Sequence, residues 1–73
     1  MGQRNDKALL KKIAARIKAI RERAEITQEQ FYNDTDIHIG RIERAQTNIT
    51  LVTLMHICKY FDVSLRDFFK EIE

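Results

Sequence analysis

Thr27-Gln28-Glu29-Gln30-Phe31-Tyr32-Asn33-Asp34-Thr35-Asp36-Ile37-His38-Ile39-Gly40-Arg41-Ile42-Glu43-Arg44 is the stretch on which the fold turns. Thr27, with Gln30 three residues later, has the pattern of a capping box, in which a hydroxyl and an amide satisfy the free N–H groups of a helix start. Ile26 before the cap is placed to staple onto Phe31. The spacing predicts a short helix over about 28–33. Asn33-Asp34-Thr35-Asp36 follows, a cluster of residues whose side chains compete for backbone hydrogen bonds and favour turns. A third helix then carries Ile39 and Ile42 inward and is expected to end near Ala45.

Upstream, Leu9, Leu10, Ile13, Ile17, Ile20 and Ala24 recur at steps of three and four and predict a long amphipathic helix over about 7–25, with Asn5 or Asp6 as its N-cap. Downstream, Gln46-Thr47-Asn48 reads as a polar loop. Thr50 caps a fourth helix with Leu51, Leu54, Ile57, Cys58 and Phe61 on its buried side. Ser64-Leu65-Arg66-Asp67 opens a last short helix through Phe68, Phe69 and Ile72. No strand pattern and no repeat interrupts this series. The expectation is an all-α, five-helix bundle in one domain, 7–73, behind a short N-terminal arm, 1–6.

The composition agrees. The chain has 73 residues, 44% apolar and 33% charged, with no Pro and two Gly, so little breaks a helix. A chain this short buries only about 60% of the surface its unfolded form exposes. Its single Cys, Cys58, forms no internal disulfide, and two His with one Cys show no metal-ligand spacing, so no metal and no cofactor are expected. No apolar run approaches the roughly 20 residues of a membrane span, and the polar first eight residues carry no signal-peptide pattern. The expected location is the cytoplasm. No nucleophile–base pair and no phosphate-cradling Gly loop appears, and so small a body has little room to enclose a small-molecule substrate, which excludes an enzyme reading.

The formal net charge is +2. Residues 1–26 hold eight basic and three acidic side chains, for a net +5, whereas 27–48 and 49–73 carry −2 and −1. A basic first segment either attracts phosphate or is the solvated face of an amphipathic helix.

Two short helices joined by a tight turn and framed by others suggest a helix-turn-helix. The residues narrow this. Arg21, then Ile26-Thr27-Gln28-Glu29, then Ile39-Gly40-Arg41-Ile42-Glu43-Arg44, then Leu54 through Leu65 with Phe61-Asp62-Val63-Ser64-Leu65, together resemble the lambda-repressor/Cro-like (xenobiotic-response-element) helix-turn-helix family. Departures from the family pattern are a segment from Thr27 to Glu43 about three residues shorter than usual, Tyr32 in place of Ala, and Ala45 in place of Gly.

The resemblance implies a sequence-specific transcriptional regulator that binds double-stranded DNA as a homodimer on a palindromic operator, third helix in the major groove. It implies that Gln28 meets a phosphate at a helix N-terminus. Asp36, Ile37 and Arg41 take base-facing positions: Arg41 for guanine, Ile37 for a thymine methyl, Asp36 for a cytosine amino group or as a cap. His38 and Arg44 lie near the backbone or beside the groove, and Thr47 and Asn48 along the sugar-phosphate chain. Arg21 and Glu43 match a pair that forms a structural salt bridge. Phe69 and Ile72 belong either to the core or to a subunit interface. The alternative function is a protein-interaction module, or an antitoxin-like partner of another protein, with a weakened DNA-binding face.

Overall fold

The computed structural model describes residues 6–72. Five helices make it up: α1 (Lys7–Arg23), α2 (Gln28–Thr35), α3 (Ile39–Glu43), α4 (Leu51–Tyr60) and α5 (Leu65–Lys70), with no strand among the described residues. Of the expected N-terminal arm only Asp6 is described, and it is the cap of α1: its Oδ1 accepts from the Leu9 N–H at 3.0 Å. Three further helices start in the same way, on hydroxyls. Thr27, Thr50 and Ser64 accept from the N–H groups of Gln30, Thr53 and Asp67 at 3.0–3.1 Å. Only α3 lacks such a bond, since His38 stands at its N-cap position without a side-chain capping contact.

Helix ends are equally regular. At the end of α1 the Glu25 N–H donates to the Glu22 carbonyl and the Ile26 N–H to that of Arg21. The same pair of bonds closes α3 (Ala45 to Ile42, Gln46 to Arg41) and α4 (Asp62 to Lys59, Val63 to Cys58). This is the Schellman arrangement, which puts one residue in the left-handed region. Glu25, Ala45 and Asp62 hold φ of 59°, 57° and 58°, and Asp36 at the end of α2 holds 66°. No Gly is used at any of the four, although a Cβ makes this conformation costly.

The core forms where α1, α2 and α3 meet α4 and α5. Phe31, Phe68, Ile17, Ile39 and Ile57 are fully buried. Burying each such side chain contributes about 1.5–3 kcal/mol before conformational entropy is counted. Phe31 stacks on Phe61 at 5.5 Å and meets Tyr60 edge-on at 4.8 Å, which fixes α2 to the end of α4. Ile26 packs against the cluster that contains Phe31, as the staple requires. Across the polar side of this joint the Tyr60 hydroxyl donates to Asp34 Oδ2 at 2.5 Å.

Several boundaries differ from the sequence-based expectation. Helix α2 runs on through Asp34 and Thr35, because the Thr35 hydroxyl donates back to the Phe31 carbonyl (2.8 Å) and accepts from the Ile37 N–H (3.1 Å), so it closes the helix instead of breaking it. Helix α3 stops at Glu43, and α1 at Arg23 with Ala24 exposed. Leu51 was expected inside but is 60% exposed: the first turn of α4 extends past the core, and its inner face is Leu54, Ile57 and Cys58.

Two outcomes follow from these joints. Ala45→Gly relieves a left-handed Cβ and should raise stability by about 0.5–1 kcal/mol, read as a higher urea midpoint at unchanged slope. The bond to Asp34, then burial and the Asp34 charge, hold the Tyr60 phenol above the ordinary tyrosine range. A raised phenol favours the neutral form in the folded chain, so this contribution is full below the unfolded pKa near 10 and is lost as pH rises through the folded value. Phenolate absorbance should show Tyr60 titrating late in the parent chain and earlier in Asp34→Asn.

Candidate nucleic-acid interface

Arg21 and Glu43 lie 22 residues apart and meet in a two-pronged ion pair. The Arg21 Nε donates to Glu43 Oε2 at 2.6 Å and an Nη to Oε1 at 3.0 Å. The other Nη donates to the Ile26 carbonyl at 2.8 Å. The Glu43 side chain is only 3% exposed. The hydrogen bond to Glu43, which outweighs the cost of burial, holds the Arg21 guanidinium above its already high ordinary pKa, so the guanidinium stays charged. Gln28 joins them, its Nε2 donating to Glu43 Oε1 at 2.9 Å. One carboxylate on α3 thereby ties that helix to both α1 and α2.

Gly40 belongs to the same arrangement. A Cβ on it would lie 3.0 Å from the Gln28 Oε1, so the bare backbone of α3 lets the Gln28 carboxamide cross it. In this conformation the Gln28 amide is engaged with Glu43, and reaching an external group requires it to swing from that bond.

The expected contact residues gather around one side chain. Arg41 is exposed and lines two adjoining depressions on either side of α3. One is walled by Gln28, Tyr32, His38 and Arg44. The other is walled by His38, Thr47, Asn48 and Thr53. His38 borders both, and its ring lies against Tyr32 at 4.5 Å. Arg44 is exposed and reaches Gln46 Oε1 at 3.4 Å, and the Thr47 hydroxyl donates to the Asn48 carbonyl at 3.3 Å.

Asp36 and Ile37 stand elsewhere than expected. Both precede α3. Asp36 is the left-handed C-cap of α2, and Ile37 is half-buried against the core. Helix α2 has eight residues and α3 five, and His38 and Arg41 are the leading polar side chains of α3.

Tyr32, Glu29 and Thr53 also line these depressions; Tyr32 stands out in the sequence only as a departure from the family pattern, and none of the three is expected there as a contact residue. Tyr32 sits four residues after Gln28, on the same face of α2, which is the signal that could have found it. At the other end of the chain Ile72 packs partly on the core, and Phe69 is 37% exposed with its ring edge-on to Phe68 at 5.3 Å. Burial pushes the Cys58 thiol up, so it is a core group and not a reactive one. Among the described residues no group of His, Cys, Asp and Glu is arranged to hold a metal, and no helix is long and apolar enough to cross a membrane.

Removing one partner of the Arg21–Glu43 pair leaves a shielded lone charge. Arg21→Met or Glu43→Gln should each cost about 2–4 kcal/mol, and the double variant less than their sum. Urea unfolding of the four chains gives the coupling, and a coupling near zero contradicts the assignment.

Comparison with curated proteins and with solved structures gave no significant match. A family model described as "Helix-turn-helix" matches residues 17–68, from the middle of α1 into α5, and so covers both the Arg21–Glu43 pair and the α3 face. The chain belongs to the Cro/lambda-repressor-like helix-turn-helix family, whose members are DNA-binding regulators and not, in general, enzymes.

Proposed function

We propose that the chain is a sequence-specific transcriptional regulator that docks α3 in the major groove of a palindromic operator as a homodimer. The observation that carries this is the meeting of Gln28, His38, Arg41, Arg44, Thr47 and Asn48 along two depressions that share Arg41 of α3. Arg41 is the base reader, since a guanidinium takes guanine through two hydrogen bonds. His38, which borders both depressions, lies beside it. Gln28, Arg44, Thr47 and Asn48 meet phosphate and sugar and fix the register. Asp36 caps α2 and Ile37 packs inward, so neither is assigned a base.

A face acidic throughout would have favoured the protein-interaction module. Glu29 is the one acidic side chain along these two depressions, against Arg41 and Arg44. We assign the two-fold contact to Phe69, with Ile72 at its edge. It would set the two α3 helices about 34 Å apart, one turn of DNA. The reading also places the chain in the cytoplasm, with the DNA.

Selection from random duplex DNA should recover a palindrome whose half-sites are centred one helical turn apart. Recovery of a single unpaired half-site overturns the dimer, and no enrichment at low salt overturns the function. Arg41→Ala should cost about 1–3 kcal/mol at the selected site and relax preference at one base position. Gln28→Ala should weaken all sequences alike and leave the salt slope nearly unchanged, whereas Arg44→Ala should flatten that slope by about one unit.

A further inference from the structure

Helix α1 presents a second face that neither the core nor the α3 site uses. Lys12, Ala15, Arg16, Ala19 and Arg23 recur at steps of three and four along it. Two open grooves meet there and share Arg16. The first, about 350 Å³, has Arg16 and Arg23 on its rim and Ala19, Ile20, Phe61 and Val63 as its floor. The second, about 400 Å³, continues past Lys12 and Ala15 to Glu71 and Ile72. Together they make one furrow between α1 and the α4–α5 side of the molecule. Lys12 to Arg23 spans roughly 16 Å of helix axis.

Three cations, Lys12, Arg16 and Arg23, line the furrow against one acid, Glu71. Among the described residues none of Lys12, Arg16 and Arg23 pairs with a carboxylate. The Arg16 guanidinium is held over the Phe68 ring at 5.9 Å, and its Nε is buried without a hydrogen-bond partner. Packing has thus fixed the Arg16 cation where the two grooves meet, with no carboxylate in ion-pair contact among the described residues, an arrangement that favours an incoming anion at Arg16 and Arg23. The apolar floor distinguishes that anion from a bare phosphate chain. Small side chains at 15 and 19 leave room for a helix to approach α1 closely.

We propose that this furrow docks an acidic amphipathic helix of a partner protein. Its carboxylates stand seven residues apart, opposite Arg16 and Arg23, with apolar side chains between them on the Ile20–Phe61–Val63 floor. The furrow shares no lining residue with the α3 depressions and meets the two-fold contact assigned above at Ile72, at its far end, so the Arg16–Arg23 groove is open whether or not the chain binds DNA.

The test uses the full chain and a displayed library of helical peptides randomised among acidic, basic and apolar residues. Selected peptides should carry acids seven apart with apolar residues between. On the isotope-labelled chain the best peptide should shift amides of α1 and of 61–63, and leave those of Arg41 and Thr47 in place. The double variant Lys12→Glu, Arg23→Glu, which keeps Arg16 and the core, should weaken that peptide about tenfold or more, whereas Arg41→Ala should leave it unchanged. Selection without acidic bias, shifts confined to the α3 face, or a charge reversal without effect overturns the proposal. Duplex DNA that shifts the furrow amides would assign the surface to nucleic acid instead. Loss of self-association in the charge-reversed chain would assign it to a second copy.

Discussion

One guanidinium holds the working parts of this protein in register. Arg21 reaches Glu43 at the end of α3 and the Ile26 carbonyl at the corner before α2, and Glu43 in turn takes the Gln28 amide. A helix of five residues has no stability of its own, because nucleation costs more than one turn returns. Helix α3 exists because Ile39 and Ile42 bury one side of it and because Glu43 is locked to α1. Buried ion pairs contribute little net stability once desolvation is counted. What this pair supplies is position: it sets the angle at which Arg41 and His38 leave the surface.

Segment charges mislead about that surface. Residues 27–48 carry a net −2, yet three of their four acids lie off the depressions around α3. Asp34 accepts from Tyr60, Asp36 ends α2, and Glu43 faces Arg21 and Gln28. Only Glu29 remains along the depressions, while Arg41 and Arg44 are both exposed. The +5 of residues 1–26 is divided as well. Arg21 turns inward to the pair, and Lys12, Arg16 and Arg23 line the furrow, which shares no residue with the α3 depressions.

Local rules were legible in the chain, and long-range ones were not. Thr27, Thr50 and Ser64 cap as their patterns imply, because a cap depends on neighbours three residues away. The Arg21–Glu43 contact spans 22 residues and follows from no spacing rule. Only the resemblance to a family pointed to it. Where a feature depended on how one turn joins the next, the sequence misdirected. Thr35 looked like a breaker and closes α2 by bonding to its own backbone. Asp36 and Ile37 counted forward into α3, and the actual helix begins two residues later, because Asp36 takes the left-handed end of α2 and Ile37 packs against the core. Leu51 matched the apolar period of α4, but a period cannot say where the rest of the core ends.

The shortness of α3 has a consequence for the lifetime of the protein. Any opening that separates α1 from α3 dissolves the five-residue helix, so the fraction of copies able to bind equals the fraction folded. Whatever occupies the face then acts as a folding ligand: each tenfold excess over its dissociation constant adds about 1.4 kcal/mol against unfolding. Where cleavage follows transient opening, occupied copies outlast idle ones, and turnover in the cell becomes a measure of how much of the protein is engaged.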